Sequence, residues 1–379
     1  LIFAAFMFAL GYKKTGLGKR VSLVMIKYMG KSSLGLGYAV AFSDLVLSPF
    51  MPSNTARSAG TIYPVASNIP LIFDSTPEHE PRKLGAYISW VAIATTCVTS
   101  SMFLTALAPN LLAVDLINKG TGHMISWGAW ASIMLPLMIP LFLLTPWLVY
   151  VVYPPTQKTS PEAPAWAAEE LKKLGGITSK ELLMAGLAVV ALALWIFSKD
   201  LGIDSTTTAI SIVSIMVLAN VITWDDVISN KAAFNVLIWF ASLVAMAAGL
   251  KKVGVLDWIG SSTEVYLSGM SPTMLILSML FLFFVLHYFF ASTTAHTTAL
   301  MPIFLAIAIK LMTPEQLIPF SILLAGSLGV MGVFTPYATG PSPIWYGAVY
   351  ISQGRWWALG AIFGALYLAA IIIGALIFI

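Results

Sequence analysis

Charge is what this chain lacks most. Of its 379 residues only 9% are Asp, Glu, Lys or Arg, while 59% are hydrophobic; soluble domains carry roughly 25% charged residues. So few charges cannot coat a soluble globule of this size, which leaves an all-α polytopic membrane protein. Barrel strands are excluded too. Apolar runs such as 182–197 and 356–379 are of helix length, whereas a barrel strand has about ten alternating residues. A single cysteine, Cys97, excludes an internal disulfide. The formal net charge of +4 sits in loops, where it reports topology and not a nucleic-acid partner. No nucleophile–base pair stands at a recognisable spacing, and His287 lies on an apolar run with no second ligand at metal spacing, so neither an enzyme nor a metal or cofactor site is indicated. The chain begins Leu1-Ile2-Phe3, without Met and inside an apolar run; helices preceding it are expected.

Against this apolar background one polar phrase occurs twice. The first copy is Ser53-Asn54-Thr55-Ala56-Arg57 and the second Ser292-Thr293-Thr294-Ala295-His296, with Pro64 and Pro302 downstream. Small hydroxyl residues clustered at membrane depth are costly unless they bind something. The apolar arms around the first copy (34–50 and 58–73) are short and broken by Pro49 and Pro52, which predicts a re-entrant hairpin; 272–290 and 297–311 flank the second copy likewise. Residues 84–118 are too long for one helix, and Thr105-Ala106-Leu107-Ala108-Pro109-Asn110 predicts an unwound break. A second break is predicted at 335–342, rich in proline and glycine. Residues 15–33 read as a basic amphipathic helix, and 154–180 as a polar linker with one short helix. Further spans are predicted at 127–153, 181–198, 205–222, 234–250, 315–333 and 356–379.

The halves echo each other. Ala9-Leu10-Gly11-Tyr12-Lys13-Lys14-Thr15-Gly16-Leu17 matches Ala247-Ala248-Gly249-Leu250-Lys251-Lys252-Val253-Gly254-Val255, the knots follow at nearly the same distance, and Ala108-Pro109-Asn110 is echoed by Gly340-Pro341-Ser342. We therefore expect a first repeat over 1–150, connecting helices over 151–233 and a second repeat over 234–379. An odd number of crossings separates Lys14 from Lys251, so the second repeat is inverted. The side bearing Lys13, Lys14, Lys19, Arg20, Arg82 and Lys83 is the richer in cations and is expected to be cytoplasmic.

Two opposed hairpin tips offer helix N-termini, backbone N–H groups and rotatable hydroxyls, which suits an anion with a carboxylate at each end. Ser and Thr in membrane helices also back-bond to carbonyls, but two inverted copies, each followed by a break, favour the binding role. Arg57 and His296 hold the same place in the two copies. Arg57 either lends fixed charge to an anion or pairs with a carbonyl or Asp44. His296 either lends charge or is a neutral ring bonded to a backbone carbonyl. Asp44 and Asp115 are lone membrane carboxylates, each a structural partner or part of a water path.

The twin knots, the broken helices and the inverted halves resemble the divalent anion:sodium symporter family. The stretch from Lys31-Ser32-Ser33-Leu34-Gly35-Leu36 to Arg57, with 292–298, most resembles the branch of bacterial citrate/succinate-type antiporters and plastid 2-oxoglutarate/malate translocators. The resemblance implies a homodimer in the inner (plasma) membrane. It also implies an elevator mechanism, with 127–222 mainly scaffold and 12–118 and 251–353 the transport part. It implies dicarboxylate substrates held by Ser53, Asn54, Thr55, Ser292, Thr293 and Thr294, flanked by Ala106, Leu107, Ala338 and Thr339. Sodium-using members carry Ser-Asn-Thr in both hairpins, whereas the second copy here has Thr293. With Arg57 and His296 standing where sodium-coupled members have small residues, the resemblance implies sodium-independent exchange of succinate, malate or 2-oxoglutarate, with sodium-coupled symport of di- or tricarboxylates as the alternative.

Overall fold

The computed structural model describes residues 2–255, 258, 261–262 and 269–379; the stretch of the expected second repeat around 256–268 lies largely outside them. The regular elements among the described residues are all helices, apart from one isolated bridge between Ser32 and Thr159. Seven helices among them are long and apolar enough to cross a membrane: Ser33–Phe50, Trp127–Val152, Ser179–Ile196, Pro272–Phe289, Thr293–Leu311, Pro314–Val333 and Gln353–Phe378.

Two helices form the centre. Gly85–Met102 is buried along its whole length, and Pro314–Val333 is 78% buried, against 33–39% for most of the other spans. Protein and not lipid surrounds Gly85–Met102, which explains how it tolerates Thr95, Thr96, Thr99, Ser100 and Ser101 on an otherwise apolar helix. The two helices meet where Ser101 Oγ accepts from Val330 N at 2.9 Å. Gly329 sits on the backbone at Ser100 and Ser101, with no room for a Cβ.

Both predicted breaks are present. Gly85–Met102 stops at Phe103, makes one turn at Leu104–Ala106, and the chain restarts as Ala108–Thr121. Pro314–Val330 passes through the turn Met331–Val333 into irregular chain before Ser342–Gly347. Pro109 and Pro341, lacking backbone N–H groups, stand beside the restarts.

The arm expected over 34–50 is the helix Ser33–Phe50, which at 18 residues is also long enough to span; Pro49 is accommodated in its closing tight turn Ser48–Phe50, and Pro52 lies beyond its end. One expectation needs correction. The predicted span 205–222 is helical only over Ser205–Leu218, because Asn220 turns into the left-handed region at φ 54.

The amphipathic helix Leu17–Met29 packs on Ser33–Leu47 and on Glu162–Leu174, the helix expected within the linker. Arg20 fastens this region to Ser179–Ile196. Its Nε lies 2.6 Å from Glu181 Oε1, and its Nη groups donate to the carbonyls of Gly175 and Gly176 at 3.1 Å.

Candidate functional site

The two hairpins repeat each other almost residue for residue, at one constant spacing. Ser32 and Ser271 cap the helices Ser33–Leu47 and Pro272–Leu286, accepting from Gly35 N and Met274 N. A tight turn follows in each, Ser48–Phe50 and His287–Phe289. Ser53 Oγ then accepts from Ala56 N at 3.2 Å, and Ser292 Oγ from Ala295 N at 3.4 Å. Arg57 N donates to Ser53 O and His296 N to Ser292 O, at 2.9 and 3.0 Å. Each knot is thus a helix N-terminus, with backbone N–H groups available to an anion. The copies diverge afterwards: Thr55–Ile62 winds as a wide π-helix, whereas Thr293–Leu311 is a regular α-helix. Wide turns of this kind concentrate at functional sites. Within one residue of the same relative place before each hairpin, Gly16 (φ 79) and Gly254 (φ 78) take the left-handed conformation that glycine permits.

Each break leans on its own hairpin in the same way. Thr105 Oγ1 donates to Pro49 O at 2.5 Å, and Tyr337 Oη to Tyr288 O at 3.1 Å; Pro49 and Tyr288 are the middle residues of the two tight turns. Ala108 N adds a bond to Pro52 O at 2.6 Å. Contact also runs between the repeats. Asn54 Nδ2 donates to Thr339 Oγ1 at 2.7 Å, Trp345 Nε1 donates to Ser58 Oγ at 3.0 Å, and Gly340 lies so close to Thr55 that a side chain there would collide with its hydroxyl. The helix Thr293–Leu311, which opens at the second knot, packs on Ala108–Thr121, which leaves the first break.

Arg57 is wholly buried and every N–H of its guanidinium has an acceptor. Nε faces both oxygens of Asp44 at 3.1 Å, Nη1 donates to Met51 O (2.8 Å) and Ala106 O (2.9 Å), and Nη2 reaches Ser100 Oγ (3.0 Å), with Thr96 and Thr99 Oγ1 at 3.4 Å. Asp44 also accepts from Thr96 Oγ1 at 3.0 Å and from Thr99 Oγ1. Of the two roles open to Arg57, the geometry is that of the pair: Asp44 neutralises it, and it ties the hairpin to the first break. Asp115 is likewise partnered, with Lys119 one turn on at 2.9 Å.

His296 is buried, but among the described residues neither of its ring nitrogens has a hydrogen-bond partner. It is boxed edge-on by Phe283 (centroids 4.4 Å apart), His287 (4.9 Å) and Phe290 (5.1 Å). The carbonyl bond considered for His296 belongs instead to His287, whose Nε2 lies 2.9 Å from Ala338 O. Although the two histidines meet, no three His, Cys, Asp or Glu side chains form a metal set among the described residues.

The structure therefore brings Ser53, Asn54 and Thr55 together with Ala338 and Thr339, and Ala106 with Arg57. Leu107 is buried in the first break. Just past the second knot Thr297 and Thr298 back-bond to the carbonyls of Thr293 and Thr294 at 2.8 and 2.7 Å. No hydrogen bond joins the two knots directly among the described residues; the second break touches the first knot through Thr339 and the tight turn before the second knot through Ala338. Sequence reading did not single out Thr96, Thr99 and Ser100, although hydroxyls three and four apart on one helix were the available signal. It also left His287 without a role.

A family model described as the sodium:sulfate symporter transmembrane region matches residues 1–378. The chain belongs to the divalent anion:sodium symporter family. Within that family its antiporter branch is indicated by L-tartrate/succinate antiporters of Escherichia coli strain K12 and Shigella sonnei, each 48% identical over 379 residues, covering all of this chain and 77% of the relative. The crystal structure of the YdaH transporter of Alcanivorax borkumensis superposes with a TM-score of 0.65 at 14% identity, covering 99% of this chain and 84% of that one, which establishes likeness of fold. This symporter-family chain is a transporter and not an enzyme, and a multi-pass protein of the inner membrane.

Proposed function

We propose that this transporter exchanges one dicarboxylate for another across the membrane, with succinate, tartrate, malate or 2-oxoglutarate as the substrate class, and that it does so without sodium. The carrying observation is the 48% identity, over the whole chain, to L-tartrate/succinate antiporters. The geometry supports it. One carboxylate of the substrate meets the helix N-terminus and hydroxyls at Ser53, Asn54 and Thr55, and the other meets Ser292, Thr293 and Thr294, with Ala106, Leu107, Ala338 and Thr339 between them.

In this reading Arg57 replaces a removable cation. Its guanidinium holds Met51 O and Ala106 O, backbone oxygens of the kind a bound ion would ligate, and Asp44 balances its charge. His296 stands at the same place in the second copy as a fixed ring. Fixed groups cannot leave with the substrate, so the empty carrier returns poorly and exchange becomes obligatory. The two hairpins are re-entrant and travel with the breaks (12–118 and 251–353) as an elevator against 127–222, in a homodimer. The repeats run over 1–150 and 234–379, joined by 151–233. The name of the family model and the retained Asn54 keep sodium-coupled symport as the second reading.

Liposomes loaded with succinate and given labelled succinate distinguish the two. Expected is uptake that needs internal dicarboxylate and is indifferent to sodium. Uptake into empty vesicles driven by a sodium gradient would overturn the exchange reading.

A further inference from the structure

The two breaks correspond residue for residue: Ala108-Pro109-Asn110 aligns with Gly340-Pro341-Ser342, which sets Ala106 against Ala338. In the first repeat Ala106 O accepts from Arg57 Nη1 at 2.9 Å. In the second, Ala338 O lies 2.9 Å from His287 Nε2. The residue at the place of Arg57 is His296, and its ring nitrogens bond nothing among the described residues. The clamp on the second break has therefore moved from the knot to the tight turn before it.

We propose that His287 is a positioning residue for transport, holding the second break against its hairpin through the Ala338 carbonyl as Arg57 holds the first through Ala106. A carbonyl oxygen only accepts, so Nε2 carries the proton and donates. His287 is fully buried, and without its N–H the buried Ala338 oxygen is left unpaired, so the break shifts to find another donor. The next residue, Thr339, is the acceptor of Asn54. A shift at Ala338 thus reaches the first knot, where the proposed site reads one end of its anion. Only the transport arm of the test below depends on the exchange reading.

His287→Gln keeps an N–H at similar reach, whereas His287→Met has nearly the same shape without a donor. In succinate-loaded liposomes, His287→Met is expected to raise the half-saturating succinate concentration about tenfold with the maximal rate within about twofold, and His287→Gln to stay within about twofold in both. A Met variant like wild type, or a Gln variant as impaired as the Met one, overturns the proposal. Absence of exchange in the wild-type protein counts against the exchange reading instead, and the second arm then decides. A reporter cysteine replacing the half-buried Pro336, in a Cys97→Ser background, is expected to react with a maleimide severalfold faster with Met at 287 than with His or Gln. Equal rates in all three overturn the proposal.

Discussion

Arg57 Nε lies 3.1 Å from each carboxylate oxygen of Asp44, and both side chains are closed to solvent. The pair spans two parts of one hairpin: Asp44 near the end of Ser33–Leu47, Arg57 at the end of the knot. Through the guanidinium it also reaches Gly85–Met102 at Ser100 and the first break at Ala106. An unpaired charge at this depth would be very costly, so the hairpin, the central helix and the break are held in one arrangement by the need to keep both charges satisfied.

Arg57→Ala leaves Asp44 buried and uncompensated. The expected loss is about 3–5 kcal/mol of stability, with exchange abolished while the protein still inserts. Thermal unfolding in detergent and uptake into loaded liposomes check the two parts. The double variant Asp44→Asn/Arg57→Gln, which removes both charges, should recover more of the stability than either single change. Unchanged exchange in Arg57→Ala would remove Arg57 from the mechanism.

Asn54 and Thr339 join the first knot to the second break. Asn54→Ala and Thr339→Ala should each raise the half-saturating dicarboxylate concentration, and a double-mutant cycle should return a coupling of about 0.5–1.5 kcal/mol, that of a neutral hydrogen bond. Additive effects of the two variants would show that the bond does not persist in the working protein.

Gly329 has no space for a Cβ where the two central helices cross at Ser101. Besides the Ser101 hydroxyl, the backbone at Ser100 and Ser101 lies in the way, so the clash cannot be relieved by turning a side chain. Gly329→Leu should therefore cost more than 3 kcal/mol and reduce the yield of folded protein. The same change at Gly249, where none of the described residues comes within contact of a Cβ, should be tolerated. Comparable size-exclusion profiles for both variants would contradict the crossing.

Lys14 donates to Asp226 and, with the backbone and hydroxyl of Thr223, holds that carboxyl down at about 2. A carboxylate depressed in the fold stabilises above its unfolded value of about 3.9, and that contribution is lost as pH falls from there toward the folded value. Asp226→Asn should thus lower the melting temperature by the same amount at pH 6 and pH 8, and by less at pH 3. Because the pair is exposed, high salt should shrink the difference too. A difference that grows on acidification would refute the pairing.

Sequence alone determined the membrane, the helical class, the twin knots and both breaks. Each follows from local chemistry: too few charges to face water, apolar runs too long for strands, prolines that remove backbone donors, and hydroxyls that membranes tolerate only for a reason. The family, too, was legible in the spacing of those motifs. Tertiary structure decided what the buried polar groups do. Asp44 was visible as a carboxylate, yet nothing local says that Arg57 spends its five N–H groups on it and on Met51, Ala106 and the hydroxyls of a helix beginning at Gly85. His296 was the conspicuous histidine, but the carbonyl belongs to His287, because the tight turn at 287–289 and not the knot faces Ala338. Which donor meets which acceptor depends on how helices far apart in the chain pack, and that geometry is set by the whole fold.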